Sequence, residues 1–349
     1  MSRKRHVRIA PSHYHVGHIV PAMVASEMSF FEDEGLEDYE IVGGGIIPAM
    51  VEKVALRRAM KEKSIDIVPD AKPLSVFTLR DKGEDLYIVG CWRNSQDACY
   101  VGSKQVKKLA DLKGKKIGTR DLGGIGYTLL ATNLRKAGLD PDRDVTWVTG
   151  SRFHQQENPL EYLRRGEVDC VPLPHDCDVE DVVSEGYSVV FDSKDYGGVS
   201  RPSRITASTR EMIEERGEEL QSYFRAIIRA YWFMVDRESN ERYLRALVRR
   251  LRRDCLDLDE SQRTNMESGG RSVVPIDGAP SVEGLRHILD EAQGTGQISR
   301  SLQLDQALNL EAVHAAFNEL QHREELGRDI LRAREIYALR NPVPARATA

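Results

Sequence analysis

The chain has 349 residues, 40% hydrophobic and 30% charged, enough apolar material for about two domains with real cores. Its 50 lysines and arginines stand against 55 aspartates and glutamates, a formal net charge of -5, which argues against an electrostatic nucleic-acid binder. No stretch approaches the roughly 18 uninterrupted apolar residues of a membrane span.

Met1 to Arg5 is basic. The next stretch, His6 to Pro11, carries charge and is too short for the apolar centre of a secretory signal. The expected location is therefore the cytoplasm. Five cysteines, an odd number without dense spacing, fit a reducing compartment. No metal-type CxxC pair occurs.

In chain order, Arg5 to Ala10 reads as a strand and Ser12 to His18 as a polar loop. Ile19 to Glu34 reads as one helix, closed by Gly35 in the left-handed capping position. Tyr39 to Val42 is a second strand, followed by the Gly43-Gly44-Gly45 turn. Ile46 to Lys63 is helical, with Pro48 near its first turn. Ile65 to Val68 is a third strand, running into a Pro69-Asp70-Ala71-Lys72 loop and another helix. Leu86 to Cys91 is again strand-like. This βαβαβ rhythm predicts a parallel sheet flanked by helices.

A second unit follows. Lys116 to Thr119 is a strand, Arg120 to Gly126 a glycine-rich turn, and Tyr127 to Ala137 a helix stopped by Gly138. Val145 to Val148, Asp169 to Leu173 and Ser188 to Phe191 are strands, with helices at Pro159 to Arg165 and Val179 to Glu185. From Arg210 onward the pattern is mostly helical and heavily charged. Asn341 to Ala349, with two prolines, reads as a loose tail.

Four stretches carry a resemblance. They are Pro21 to Leu36 (PAMVASEMSFFEDEGL), Lys63 to Pro69 (KSIDIVP), Leu109 to Asp144 (LADLKGKKIGTRDLGGIGYTLLATNLRKAGLDPDRD) and Glu161 to Leu173 (EYLRRGEVDCVPL). Their order resembles type II periplasmic binding proteins. They are most similar to the branch of sulfonate, taurine and nitrate binders and thiamine-pyrimidine synthases. The likeness runs from about Arg5 to Asp236. It implies a two-lobed α/β fold, each lobe a mainly parallel sheet flanked by helices, with a helical C-terminal extension. Lobe one would take 1–100 plus 197–340, lobe two 101–196, and 341–349 the tail. The ligand would lie in a cleft between the lobes, beyond the carboxyl ends of the strands.

The candidate site residues follow from those strand ends. His13, Tyr14, His15 and His18 form a loop holding three of nine histidines, a density that suits metal ligation, proton transfer or an anion clamp. A solvated loop is the plainer alternative. A divalent metal would use His13, His15 and His18, with Asp70 or Asp176 as carboxylate partner. Gly44 permits close backbone approach to a ligand. Asp70 reads equally as a hydrogen-bond acceptor for ligand or as the cap of the next helix. Gly123 and Gly124 present amides to an anion at a helix start, beside Arg120 and Tyr127. GGIG lacks the GK[ST] ending and the full GxGxxG, so no nucleotide cofactor is expected.

Arg152 suits bidentate anion pairing and His154 acid–base work. His175 faces the cleft in preference to its neighbours Asp176 and Cys177. Trp92 is either a wall against a planar ligand or packing where the first crossover begins. Arg201, near the return crossover, is a further anion candidate. Arg225, Arg229, Arg245, Arg249, Arg250, Arg252 and Arg253 read as a solvated face.

Two functions compete. One is a cytoplasmic lyase, decarboxylase- or desulfinase-like, acting on a small aromatic acid. His13, His15, His18 or His154 would move the proton, and Arg120 or Arg152 would hold the anion. The cysteine that the desulfinases carry in their first loop has no counterpart here, where Val16 stands near the corresponding place. The other is a solute-binding protein serving an ABC permease, or a ligand sensor, without catalysis. A small-molecule ligand is expected on either reading, and a homodimer is compatible with both.

Overall fold

The computed structural model describes residues 6–11, 16–42, 52–94, 99–120, 122, 125–153, 158–173, 179–192, 201–236 and 275–340. These fall into two compact units. Unit one draws on 6–94, 201–236 and 275–340, and unit two on 99–192.

Unit one is built on a five-stranded mixed sheet. Strands β1 (Val7–Ile9), β2 (Tyr39–Ile41) and β3 (Ile67–Ala71) are parallel, with β1 in the middle. β4 (Leu86–Arg93) lies at the far edge. The last described strand, β10 (Arg204–Thr209), slots between β3 and β4, antiparallel to both. Unit two repeats the plan with β6 (Lys116–Thr119), β7 (Thr146–Thr149) and β8 (Cys170–Pro172). β6 pairs parallel with both β7 and β8, while β5 (Cys99–Gly102) runs antiparallel between β8 and β9 (Ser188–Asp192).

Both antiparallel strands escape the sequence reading. Each is short and follows a crossover between units rather than a helix, so no strand–helix alternation announces it.

The helices α1 (Val16–Glu27), α2 (Phe30–Asp33), α3 (Glu52–Lys61) and α4 (Pro73–Asp81) connect the first four strands. The single helix expected over Ile19 to Glu34 is two, because Ser29 turns left-handed at φ 56° and breaks the ladder. Gly35 closes α2 as expected, at φ 82°. Leu36 N–H donates to Phe31 O (2.8 Å) and Gly35 N–H to Glu32 O (3.0 Å), the paired bonds of a glycine-stopped helix.

α5 (Ile125–Lys136), α6 (Pro159–Arg164) and α7 (Val179–Ser184) cover unit two. Unit one is completed by α8 (Arg210–Glu215), α9 (Gly217–Val235), α10 (Val282–Gly294), α11 (Glu311–Leu320) and α12 (Gly327–Arg340). α9 buries Leu220, Tyr223, Phe224, Ile227, Ile228 and Tyr231, a recurring three-and-four spacing that turns one face to the core. α10 closes another core with α4, sharing Leu285, Ile288 and Leu289 with Val76, Phe77 and Leu79. No described helix is long and apolar enough to cross a membrane.

The charged face expected around Arg225 and Arg229 is not solvated. Both arginines are largely buried and reach the carboxylate of Glu34, which is itself 1% exposed. Arg323 joins them there. Arg245, Arg249, Arg250, Arg252 and Arg253 lie outside the described residues.

Candidate functional site

In unit two, β6 and β7 run side by side in register, Thr119 opposite Thr149, so both end at one edge of the sheet. The chain leaves β6 into Arg120 and leaves β7 into Gly150. Gly150 N–H is shared between Thr119 O and Arg120 O, both at 3.2 Å, which ties the two strand exits together. Its φ of +154° favours glycine there.

A single 3-10 turn, Ser151–Phe153, follows. Phe153 is buried against Gly118, where any side chain would collide with its ring. The Arg152 guanidinium lies over the Phe153 ring (5.0 Å to the centroid) and the Tyr162 ring (5.2 Å). Such stacking at an exposed site contributes about 0.5–1 kcal/mol and orients the charge without neutralising it. Arg120 and Arg152 are both exposed, at the ends of neighbouring parallel strands.

The helix α5 starts just beyond β6, with its first turn, the positive end of the helix, close to the end of that strand. Tyr100 lies beneath this edge, 1% exposed, with its hydroxyl 3.4 Å from Thr119 Oγ1. A Cβ at Gly126 would come within 2.9 Å of that hydroxyl, so the first turn of α5 needs a residue without a side chain. Tyr100 escaped the sequence reading because its strand did. Tyr127, a candidate ligand contact, is half-buried and sets its ring edge-on against Trp147, 4.7 Å between centroids.

In unit one the parallel strands β1, β2 and β3 likewise finish at a common edge, the chain leaving them after Ile9, Ile41 and Ala71. Asp70 is not in a loop and does not occupy the cap position of α4. It belongs to β3 and is fully buried, while Lys72 occupies the cap position of α4. Its carbonyl accepts from Arg204 Nη1 at 3.3 Å. Burial pushes the hydroxyl of Tyr223 up in pKa, and the Asp70 charge adds to the shift.

Arg201 is buried and forms a two-pronged pair with Glu291, each bond 2.8 Å. That pairing corrects the expectation of an anion-binding arginine, because the guanidinium already holds a carboxylate of its own chain. Trp92 lies near the end of β4, just before the first crossover, 7% exposed and stacked on Tyr231 at 5.8 Å. The Tyr231 hydroxyl donates to Cys91 O at 3.0 Å. The geometry is that of packing, the second of the two readings of Trp92.

His13, Tyr14, His15, Gly44, Gly123, Gly124, His154 and His175 lie outside the described residues, as do Asp176 and Cys177. His18 falls within α1, but its side chain is outside them too. Among the described residues no group of three or more His, Cys, Asp or Glu could hold a metal ion. Cys91, Cys99 and Cys170 are buried free thiols, and burial raises the pKa of both Cys91 and Cys170.

Two five-stranded mixed sheets, each with one antiparallel strand laid across a parallel set and helices on its faces, define the periplasmic-binding-protein class of fold. Within that class, the chain belongs to the NMT1/THI5-like family, whose model matches residues 17–240. No curated protein sequence matches it at a significant level.

Among solved structures it is similar to the periplasmic aliphatic sulphonate binding protein SsuA of Escherichia coli. The TM-score is 0.60 at 16% identity, over 88% of this chain and 92% of that one. It is also similar to a protein of Methylobacillus flagellatus described as the periplasmic sulfonate-binding component of an ABC transporter. There the TM-score is 0.65 at 18% identity, over 92% and 96%. The desulfurization enzyme DszB superposes with a TM-score of 0.56 at 14% identity, over 92% and 100%.

These comparisons overturn two expectations. The E. coli and M. flagellatus structures, which superpose better than DszB, are described as periplasmic sulfonate-binding proteins and not as decarboxylases, so the lyase reading falls. The cytoplasmic location, argued from Met1 to Pro11, falls with it, because those relatives are periplasmic.

Proposed function

We propose that this chain is a solute-binding protein of the ABC-importer type that works on the periplasmic side and captures a small organic anion, with sulfonates as the first class to test. Family membership supports the reading, and so does the kinship in fold with periplasmic sulfonate binders. The observation that carries the anion preference is the pair Arg120 and Arg152. Both are exposed, at the carboxyl ends of adjacent parallel strands, beside the start of α5. Guanidinium groups hold tetrahedral or planar oxyanions through parallel N–H donors, and a helix start adds positive partial charge. The ABC permease is the partner that this reading implies.

The test is titration calorimetry of the full-length protein with ethanesulfonate, butanesulfonate, benzoate and nitrate. Saturable binding of a sulfonate at micromolar level, with the compound recovered unchanged, is the expected result. Recovery of a transformed compound, or no heat with any of the four anions, would defeat the reading.

A further inference from the structure

The chain passes from unit one to unit two after Asn94 and is described again in unit one from Arg201. These two points are neighbours in the sheet. Arg204 of β10 pairs with Arg93 of β4, and Ser203 N–H donates to Arg93 O at 2.9 Å.

Both points are also held by one stretch from far down the chain. Asn94 is 8% exposed. Its side-chain amide donates to Ala279 O (2.8 Å), and its Oδ1 accepts from Ser281 N–H (2.8 Å). Arg201 is 6% exposed, and its two terminal nitrogens donate to the two Glu291 oxygens.

The stretch that supplies these partners is itself rigidly placed. Gly278 O accepts from Cys91 N–H at 2.8 Å, and Ile276 O from Trp232 Nε1 at 2.7 Å. Gly278 has φ +72°, and a Cβ there would lie 2.9 Å from Val313. Ser281 caps α10 by accepting from Gly284 N–H, which fixes the direction of the helix that carries Glu291.

The pair is buried on the arginine side and partly exposed on the glutamate side, and its two parallel bonds fix the guanidinium in one orientation. Sequence reasoning had no route to this arrangement. Asn94 and Ser281 are 187 positions apart, and Arg201 and Glu291 are 90 apart.

We propose that the stretch from Ala279 to Glu291 is a brace that fixes the chain at the two described points where it leaves and re-enters unit one, with Asn94, Arg201 and Glu291 as positioning residues. The brace sets how freely the backbone moves at these two described points. Only its effect on ligand rests on the solute-binding reading.

The test is amide hydrogen exchange by mass spectrometry on the full-length protein. Glu291→Gln keeps the size and shape of the side chain and removes its charge. It should speed exchange by roughly tenfold in peptides covering 88–94 and 201–206, while those covering 117–136 and 217–235 keep their rates. Asn94→Ala should speed the same two peptides, and the swap Arg201→Glu with Glu291→Arg should restore them. Unchanged exchange at both points in Glu291→Gln would overturn the brace. So would a uniform rise across unit one, which a merely stabilising ion pair would produce. A second arm measures butanesulfonate dissociation by stopped flow, where Glu291→Gln should change the rate by roughly threefold or more. No binding by the unmodified protein would sink the solute reading, and the exchange result would still decide the brace.

Discussion

Glu34 and Arg323 are 289 residues apart in the chain, and Arg323 Nη1 lies 2.9 Å from both carboxylate oxygens of Glu34. Arg229 adds a bond of 2.7 Å and Arg225 one of 3.0 Å to the same buried carboxylate. Asp33 and Glu319 balance the remaining positive charge, from Arg229 at 3.1 Å and from Arg323 at 2.6 Å. The cluster joins α2, α9 and the turn after α11, three pieces from the start, middle and end of unit one.

Glu34→Gln should therefore be costly. Removing one member of a buried charge cluster leaves its partners uncompensated, at a cost of about 3–5 kcal/mol. Urea unfolding of the variant should show the midpoint shift with an unchanged slope. A loss below about 1 kcal/mol would mean that the three arginines find water instead.

Acid should loosen the same cluster and a second ion pair, Asp85 with Arg210, elsewhere in unit one. The hydrogen bond from Arg323 holds the Glu319 carboxyl below its ordinary 4.5, and the hydrogen bond from Arg210 holds Asp85 below 3.8. For a carboxylate with a depressed folded pKa, the stabilisation is complete above the unfolded value and is lost as pH falls through the folded one. Stability should thus be flat down to about pH 5 and decline below it. Arg323→Met should make the decline shallower, and urea midpoints across that range would reveal it.

The anion reading predicts a graded response at the unit-two edge. Arg120→Ala and Arg152→Ala should each weaken sulfonate binding by roughly ten- to hundredfold, the worth of one charge-assisted hydrogen bond. The melting temperature should barely move, since both side chains are exposed. Arg152→Lys should not recover full affinity, because an ammonium lacks the planar fork and stacks less well on Phe153 and Tyr162. Calorimetric affinities that are equal in all variants would exclude this edge.

Trp92 offers a contrast. As a packed partner of Tyr231, its loss should appear in stability, with Trp92→Ala costing about 3–5 kcal/mol. Trp92→Phe should retain most of the stack and bind sulfonate normally. A variant that folds with normal stability and loses only ligand affinity would restore the ligand-wall reading.

The readings that held were those that a short stretch of chain settles alone. Gly35 and Gly138 stop their helices because only a residue without Cβ takes the left-handed turn cheaply, and both have φ 82°. β1, β2, β6 and β7 were legible from apolar alternation beside a helix. The resemblance that led to the family was likewise written in continuous motifs between Pro21 and Leu173.

Tertiary structure alone decided the rest. β5 and β10 are strands because a gap in each sheet accepts them, not because their four and six residues insist on it. Arg201 and Arg225 look alike in sequence to Arg152, yet two meet carboxylates from distant helices and one meets aromatic rings at an exposed edge. The sign and reach of a charge are local properties, but whether it is spent on the fold or left for a ligand depends on which distant residue arrives beside it. That choice is made only when the whole chain has packed.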